Sequence, residues 1–276
     1  MHVIAVAIGV YAFVIGGMYV FQRTLLYLPS TSIPEPARSG VPEMQPVELQ
    51  TDDGLTLTAW FHAPTDGLPT VILFGGNAGN IGDRGFKARP MLDAGYGVLL
   101  VGYRGYGGNP GSPSEEGLYM DGRAALAFVS ANGIDAKRTV LYGESLGSGV
   151  AVHLAREVAV AGSPVAGLVL EAPYTSIADV AGSHYPFVPA AFLVKDRFDS
   201  VDKIVHVDAP IVVIHGERDR VVPPRFGRRL YETAVEPKES YWISAANHNN
   251  LYEFGLFEIV LEFLSRFDGG REKGAD

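Results

Sequence analysis

The chain has 276 residues, of which 47% are hydrophobic and 19% are charged. This length and composition suffice for one large domain with a substantial core and exclude a disordered polymer. The formal net charge of −9 argues against a general nucleic-acid binder, because neutralising phosphates requires a surface of lysine and arginine. Cysteine is absent, which excludes disulfides, thiolate metal sites and a cysteine nucleophile but leaves the cellular compartment open.

The N-terminal segment is the most apolar part of the chain. Residues 3–21 contain no charge and would form a helix about 28 Å long, close to the roughly 30 Å hydrocarbon core of a bilayer. A cleaved signal peptide fits poorly, because a basic start and a small-residue cleavage site are missing; a buried helix is the alternative. The pattern predicts a single-pass membrane anchor at residues 1–23. Arg23 favours a cytoplasmic main domain but leaves the sidedness open.

Three further segments follow the predicted anchor. Residues 24–45 are rich in proline and small residues and are interpreted as a linker or an extended approach to the domain. The main domain is predicted at 46–268, followed by a polar tail at 269–276. Two alternating stretches, 46–51 and 55–63, flank Asp-Asp-Gly and predict an antiparallel hairpin at the start of this domain.

Beyond the hairpin, short apolar runs alternate with helix-length segments. Strands are predicted at 70–74, 97–101, 139–143, 167–171, 211–215 and 239–243. Helices are predicted at about 82–94, 116–132, 146–158, 224–234 and 250–266. Continuously apolar strands that alternate with helices predict a mostly parallel sheet covered on both faces. Ligands bind such a sheet at the carboxyl ends of its strands, so polar residues in those loops are the candidate functional residues.

One of these loops contains the pattern Gly-x-Ser-x-Gly, at Gly143, Ser145 and Gly147. The pattern alone is also found in ordinary glycine-rich turns. Here it directly follows a predicted strand and precedes a predicted helix, which is the context of a nucleophile elbow. We therefore predict that Ser145 is a nucleophile. The N–H of Leu146, at the start of the helix, is predicted to stabilise an oxyanion.

A serine nucleophile needs a general base and a carboxylate that orients this base. Asp219 follows the predicted strand 211–215, and Glu171, at the end of an earlier strand, is the rival acid. Of the seven histidines, only His248 lies downstream of Asp219. The chain order serine, aspartate, histidine is the one that accompanies a Gly-x-Ser-x-Gly elbow. We therefore predict Asp219 as the acid and His248 as the base.

A second oxyanion donor is predicted in the loop 74–80, Phe-Gly-Gly-Asn-Ala-Gly-Asn. This loop follows the first central strand, and its glycines let the backbone approach a substrate closely. A helix-opening turn is the alternative. A phosphate-binding loop fits less well, because Gly-Lys-Ser/Thr and the spacing G-x-G-x-x-G are both missing. The N–H of Asn77 is the predicted donor, with Ala78 as the alternative.

In this order, the motifs resemble those of α/β hydrolases, and more closely those of the Bem46/ABHD13-like branch. The matching stretches are "GGNAGN", "YRGYG", "SEEGLYMDG", "GESLG", "HGERDRVVP" and "HNN", and the likeness covers most of residues 20–255. The resemblance implies an α/β-hydrolase fold with a catalytic triad and an oxyanion hole at Ser145, Asp219, His248, Asn77 and Leu146. Gly75 stands where this branch usually has a histidine, which leaves the shape of the oxyanion loop open.

Residues 174–203 interrupt the alternation of strands and helices. They are interpreted as a small cap over the site or, alternatively, as a crossover packed in the core. As a cap, they would contribute aromatic substrate contacts: Tyr174, Tyr185, Phe187 and Phe192.

The sequence thus predicts a membrane-anchored serine hydrolase that cleaves lipid-like or acyl carboxylic esters through an acyl-enzyme, without a metal or organic cofactor. Its partners would be the ester substrate and the membrane. An acyl-protein thioesterase or an aminopeptidase on the same triad is the alternative, followed by a non-catalytic hydrolase-like scaffold. The physiological substrate and the oligomeric state stay open.

Overall fold

The computed structural model describes residues 2–268, so the predicted polar tail at 269–276 lies outside the described residues. The first element is helix α1, His2–Leu26, which is long and apolar enough to cross a membrane by length and composition. It extends three residues beyond the predicted anchor. Its residues 2–14 are exposed, whereas Ile15 and several later residues are half-buried against the rest of the chain.

The described residues contain ten strands. They are β1 (Leu28–Pro29), β2 (Gln45–Gln50), β3 (Thr56–His62), β4 (Thr70–Phe74), β5 (Ala78–Gly79), β6 (Gly97–Leu100), β7 (Thr139–Glu144), β8 (Gly167–Glu171), β9 (Ile211–Gly216) and β10 (Lys238–Ile243). Strands β1 and β5 pair with each other, and the other eight form one sheet in the order β10-β9-β8-β7-β4-β6-β3-β2. Strand β3 is antiparallel to β2 and β6, and the remaining neighbours are parallel.

Helices cover both faces of this sheet. After α1 they are α2 (Gly85–Asp93), α3 (Glu115–Ala131), α4 (Leu146–Val160), α5 (Ile177–His184), α6 (Ala190–Leu193), α7 (Ser200–Ile204), α8 (Pro224–Thr233) and α9 (Leu256–Leu264). Successive side chains of a strand point to opposite faces. In β4, Val71 and Leu73 therefore belong to one buried cluster, and Ile72 and Phe74 belong to the other. Burial on both faces explains why the strands are apolar throughout.

This architecture confirms the predicted α/β-hydrolase fold. The hairpin is formed by β2 and β3 in the predicted place, and each of the six predicted strands is present with ends that differ by at most one residue. The segment 174–203 contains α5, α6 and all but the last residue of α7. We refer to residues 174–203 as the cap.

The interpretation of residues 24–45 as a linker needs correction. Tyr27, Val41 and Met44 are each at most 3% exposed and belong to the two buried clusters. Strand β1 pairs with β5 in parallel. The segment is therefore an extended approach that is packed onto the domain, because three of its apolar side chains, Tyr27, Val41 and Met44, are buried there.

Candidate active site

Ser145 lies in the turn between β7 and α4, with φ 49° and ψ −113°. A positive φ is uncommon for a residue other than glycine and is costly, so the surrounding structure must hold it. The flanking glycines explain how the turn closes. A Cβ on Gly143 would collide with the Cα of Ser148, and one on Gly147 would collide with the carbonyl oxygen of Phe74. The turn is therefore the strained elbow that the motif predicts.

His248 connects Ser145 to Asp219. Its Nε2 lies 3.0 Å from Ser145 Oγ, and its Nδ1 lies 2.6 Å from Asp219 Oδ2. A carboxylate can only accept, so Nδ1 donates to Asp219 and Nε2 is left to accept from the serine hydroxyl. The three predicted residues come from loops after β7, β9 and β10, at the carboxyl edge of the sheet. The structure brings all three together.

The carboxylate of Asp219 is held by several donors. Its Oδ1 accepts from the N–H groups of Val221 and Val222, each at 2.8 Å, and His215 Nε2 lies 3.2 Å from Oδ2. Burial by itself raises the pKa of Asp219, but the hydrogen bonds from His215 and His248 outweigh it and hold that pKa well below its usual range. Asp219 is therefore ionised beside His248.

His215 is a residue of this site that the sequence alone does not indicate. Its ring is fully buried at the end of β9, and Nε2 faces both the Val222 carbonyl at 2.9 Å and the carboxylate of Asp219. Two acceptors at one nitrogen place the proton on Nε2. A histidine four residues before the predicted acid was the available signal, but that spacing alone did not show that its ring turns towards the acid.

The rival acid, Glu171, has other partners. Its carboxylate accepts from Lys87 Nζ at 2.6 and 2.7 Å and from Tyr142 Oη at 2.6 Å. The neighbouring Glu144 accepts from Arg84 Nε at 3.1 Å. Each of these two carboxylates is thus paired with a cation. This arrangement disfavours an aminopeptidase, which would need an unpaired acid to bind the substrate amine.

The loop 74–80 approaches the elbow closely. A Cβ on Gly76 would lie 3.7 Å from Ser145 Cβ. The next residue, Asn77, is fixed by its carbonyl, which accepts from Tyr106 Oη at 2.7 Å, and by its side chain, which donates to the Leu26 carbonyl at 2.8 Å. Its peptide is therefore held beside the start of α4, where the N–H of Leu146 lies.

Gly75 is the position that departs from the family pattern. The space that a side chain at this position would fill is taken by another residue. A Cβ there would lie 3.1 Å from Arg84 Nε. The guanidinium of Arg84 thus occupies the space that a side chain at position 75 would need, and it pairs with Glu144 from there.

The four predicted substrate contacts lie in different places. The prediction for Tyr174 is wrong: its side chain is 1% exposed in the core, because its hydroxyl donates to the Leu146 carbonyl at 3.1 Å. Tyr185 lines a groove of about 300 Å³ between α1 and the cap. Phe187 and Phe192 are 54% and 89% exposed and lie on the outer surface of the cap.

Two relatives decide the family. No protein-family model matches the chain. Protein bem46 of Schizosaccharomyces pombe is 30% identical over 271 residues, which cover 92% of this chain and 89% of bem46. The alpha/beta hydrolase domain-containing protein WAV2 of Arabidopsis thaliana is 34% identical over 238 residues, 78% of this chain and 76% of WAV2. The chain belongs to the α/β-hydrolase family. The resemblance to Bem46 seen in the motifs is thereby confirmed.

Two further comparisons are with proteins whose own names state an activity. The lysophosphatidylserine lipase ABHD12 of Danio rerio is 29% identical over 257 residues, 79% of this chain and 67% of the lipase. The solved structure of the Pyrococcus furiosus esterase Pf2001 superposes with a TM-score of 0.69 and 22% identity, covering 88% of this chain and all of the esterase chain. At this identity the structural likeness shows the shared fold.

Proposed function

We propose that this α/β hydrolase is a serine hydrolase of carboxylic esters with a lipid-like acyl group, anchored in a membrane by α1. One observation carries the proposal: His248 lies within hydrogen-bond distance of both Ser145 Oγ and Asp219 Oδ2. Nucleophile, base and orienting acid are thereby connected in one row, which is the arrangement that activates a serine hydroxyl.

The reaction would proceed in two halves. His248 Nε2 takes the proton of Ser145 as the oxygen attacks the acyl carbon, and the oxyanion accepts from the N–H groups of Asn77 and Leu146. The tetrahedral intermediate expels the alcohol, which takes the proton from His248. Water, deprotonated by His248, then attacks the acyl-enzyme, and the acid leaves as Ser145 regains its proton. Asp219 stays ionised and stabilises the imidazolium in both halves.

Two features besides the hydrogen-bonded row of Ser145, His248 and Asp219 support a lipid-like substrate. The groove beside Asn77 is lined mainly by aliphatic side chains, which favour an acyl chain over a polar acyl group. Helix α1 has the length and composition of a membrane span. The relative ABHD12 is named a lysophosphatidylserine lipase, which agrees with an ester of this class.

A fluorophosphonate probe tests the enzyme class. Full-length protein should be labelled at one site, and Ser145→Ala should lose both the label and the hydrolysis of p-nitrophenyl esters while keeping its thermal melting profile. A Ser145→Ala protein that still hydrolyses the esters would refute the mechanism. A panel of long-chain esters, acyl thioesters and aminoacyl amides then separates esterase from thioesterase and aminopeptidase.

A further inference from the structure

Helix α1 is bound to the cap along half of its length. Tyr11 Oη donates to the Phe187 carbonyl at 2.7 Å, and the Gln22 amide bonds to the cap backbone at 2.7 and 3.2 Å. Near the end of α1, Arg23 forms a two-pronged ion pair with Asp196, at 2.8 and 3.0 Å. At 1.5 Å per residue, these contacts cover about 18 Å of the helix. The cap thus lies alongside the apolar segment.

Between these contacts, α1 and the cap enclose the groove of about 300 Å³. Its volume is at the lower end of pockets that hold small molecules. Most of the lining side chains on both walls are apolar, among them Ile15, Met18 and Leu25 of α1 and Val180, Ala181 and Leu193 of the cap; the polar lining side chains include Gln22 of α1 and His184 and Asp196 of the cap. An apolar groove of this kind matches a hydrocarbon chain.

The inner end of the groove borders the candidate active site. Asn77 lines the groove and belongs to the loop that contacts the elbow. Val221, which also lines the groove, donates its N–H to the carboxylate of Asp219 at 2.8 Å. A chain lying in the groove would therefore end beside Ser145, where an ester carbonyl has to be.

The outer end of the groove follows from the position of Tyr11 on α1. When α1 lies across a bilayer, the part of the cap bound to Tyr11 is about 18 Å along the helix from Arg23 and so is at the depth of the lipid. Phe187 and Phe192, both exposed on the cap, are apolar side chains of the kind that interfacial segments bury at the boundary of headgroups and acyl chains. A bilayer acyl chain could enter the groove sideways without crossing water.

We infer from this arrangement that α1 forms one wall of the acyl-chain site, so that the membrane helix is part of the substrate pocket. The inference rests on the proposed ester hydrolysis and adds to it the source of the acyl chain, a lipid ester within the bilayer. Specificity for long chains then depends on residues of α1, in particular Met18, as well as on the cap.

Substitutions that fill the groove from either wall test this inference in the full-length enzyme in lipid vesicles. Met18→Trp and Ala181→Trp should each lower the ratio of kcat/KM for p-nitrophenyl dodecanoate to that for the acetate by about tenfold, the loss expected when about two methylene groups leave apolar surface. Val20→Trp is the control: Val20 is 66% exposed and lies about 200° around the helix from Met18. Its ratio should stay within about twofold of wild type.

Two results would overturn the inference while leaving the proposed function intact. One is an unchanged ratio in both wall variants; the other is a change in Ala181→Trp alone, which would assign the site to the cap without α1. Failure of the proposed function is distinct, because wild-type enzyme would then hydrolyse neither ester and would not react with a fluorophosphonate.

A crosslinking measurement on the wild-type protein keeps the test independent of how the variants fold. An alkyl fluorophosphonate with a diazirine at the end of its long chain is attached to Ser145 and irradiated. Adducts are expected on residues 15–25 of α1 as well as on residues 177–194 of the cap. Ser145→Ala shows which adducts depend on that attachment. Adducts confined to other parts of the chain would refute the inference.

Discussion

Asp219 and Glu171 are both buried carboxylates at the carboxyl edge of the sheet, but their different neighbours give the two carboxylates different roles. Asp219 contacts His248, whereas Glu171 neutralises Lys87, whose side chain is 6% exposed. Removing the charge of Asp219 would affect the base of the reaction. Removing the charge of Glu171 would leave a buried ammonium with a weaker partner, which affects the folded state.

The two isosteric amides therefore separate catalysis from stability. Asp219→Asn should keep the fold but lower kcat by about 10⁴-fold, because the amide favours the wrong tautomer of His248. Glu171→Gln should lower the free energy of unfolding by about 3 kcal/mol with much less effect on the kcat of the folded enzyme. Steady-state kinetics and denaturant unfolding measure the two effects. A crippled but stable Glu171→Gln enzyme would reassign the orienting acid.

Strand β1 connects the end of α1 to the predicted oxyanion loop. Leu28 pairs with Ala78, and the Leu28 N–H donates to the Asn77 carbonyl at 2.9 Å. The Asn77 side chain donates to the Leu26 carbonyl at the last residue of α1. The position of the Asn77 peptide therefore depends on α1 and β1 as well as on its own loop.

Two substitutions at Asn77 test this connection. Asn77→Ala keeps the backbone N–H but loses the bond to the Leu26 carbonyl, so kcat should fall about tenfold, equivalent to one ordinary hydrogen bond. Asn77→Asp places a carboxylate against that carbonyl and should lower kcat further, and the loss should diminish when the pH is lowered enough to protonate the new carboxyl group. Kinetics on a short-chain ester measure both. Equal, wild-type kcat in the two variants would show that the loop holds itself.

The strands and the row of Ser145, His248 and Asp219 could be predicted because their signals are local. A strand buried on both faces is a short continuous apolar run, and the carboxyl ends of parallel strands meet at one edge. Polar residues that follow separate runs, such as Ser145 after β7 and Asp219 after β9, are thereby brought together. This prediction requires only the order of the elements along the chain.

Other features depend on contacts that no local pattern contains. Tyr174 was expected to face the substrate, but a glycine in α4 lets it approach the helix: a Cβ on Gly149 would collide with its hydroxyl. The pairing of Lys87 with Glu171 joins residues 84 positions apart. Helix α1 is apolar on all sides, so its sequence gives its length but does not reveal which side faces the cap.

The contacts of the whole molecule change the interpretation of the positive charge at Arg23. Alone, it was a flanking charge that favoured a cytoplasmic domain. In the structure it pairs with Asp196, whose side chain is 6% exposed. A residue needed for this ion pair is explained by the fold, so it no longer indicates sidedness. The same contact makes the last part of α1 belong to the domain.

Two truncations of different length should therefore behave differently. Removing residues 2–10 deletes only exposed side chains and leaves about 12 uncharged residues before Arg23, a helix of about 18 Å, which is too short to span a bilayer core. This variant should keep its thermal melting point and its turnover of p-nitrophenyl acetate but bind vesicles more weakly. Removing residues 1–26 also deletes Arg23, which leaves the carboxylate of Asp196 without its cation and with the Glu115 N–H as a remaining donor, and should cost about 2 kcal/mol of stability.

The longer truncation also removes the Leu26 carbonyl that holds Asn77, so turnover of the acetate should fall together with the melting point. Thermal melting in detergent, vesicle flotation and acetate turnover are measured on both variants and on the full-length chain. Together they distinguish a role of α1 as a membrane tether from a role of α1 in the folded domain. If the chain lacking residues 1–26 melted and turned over acetate like the full-length protein, α1 would be a tether alone. If the chain lacking residues 2–10 already lost its acetate turnover, the exposed first turns of α1 would have a role in the folded domain that their lack of burial does not explain.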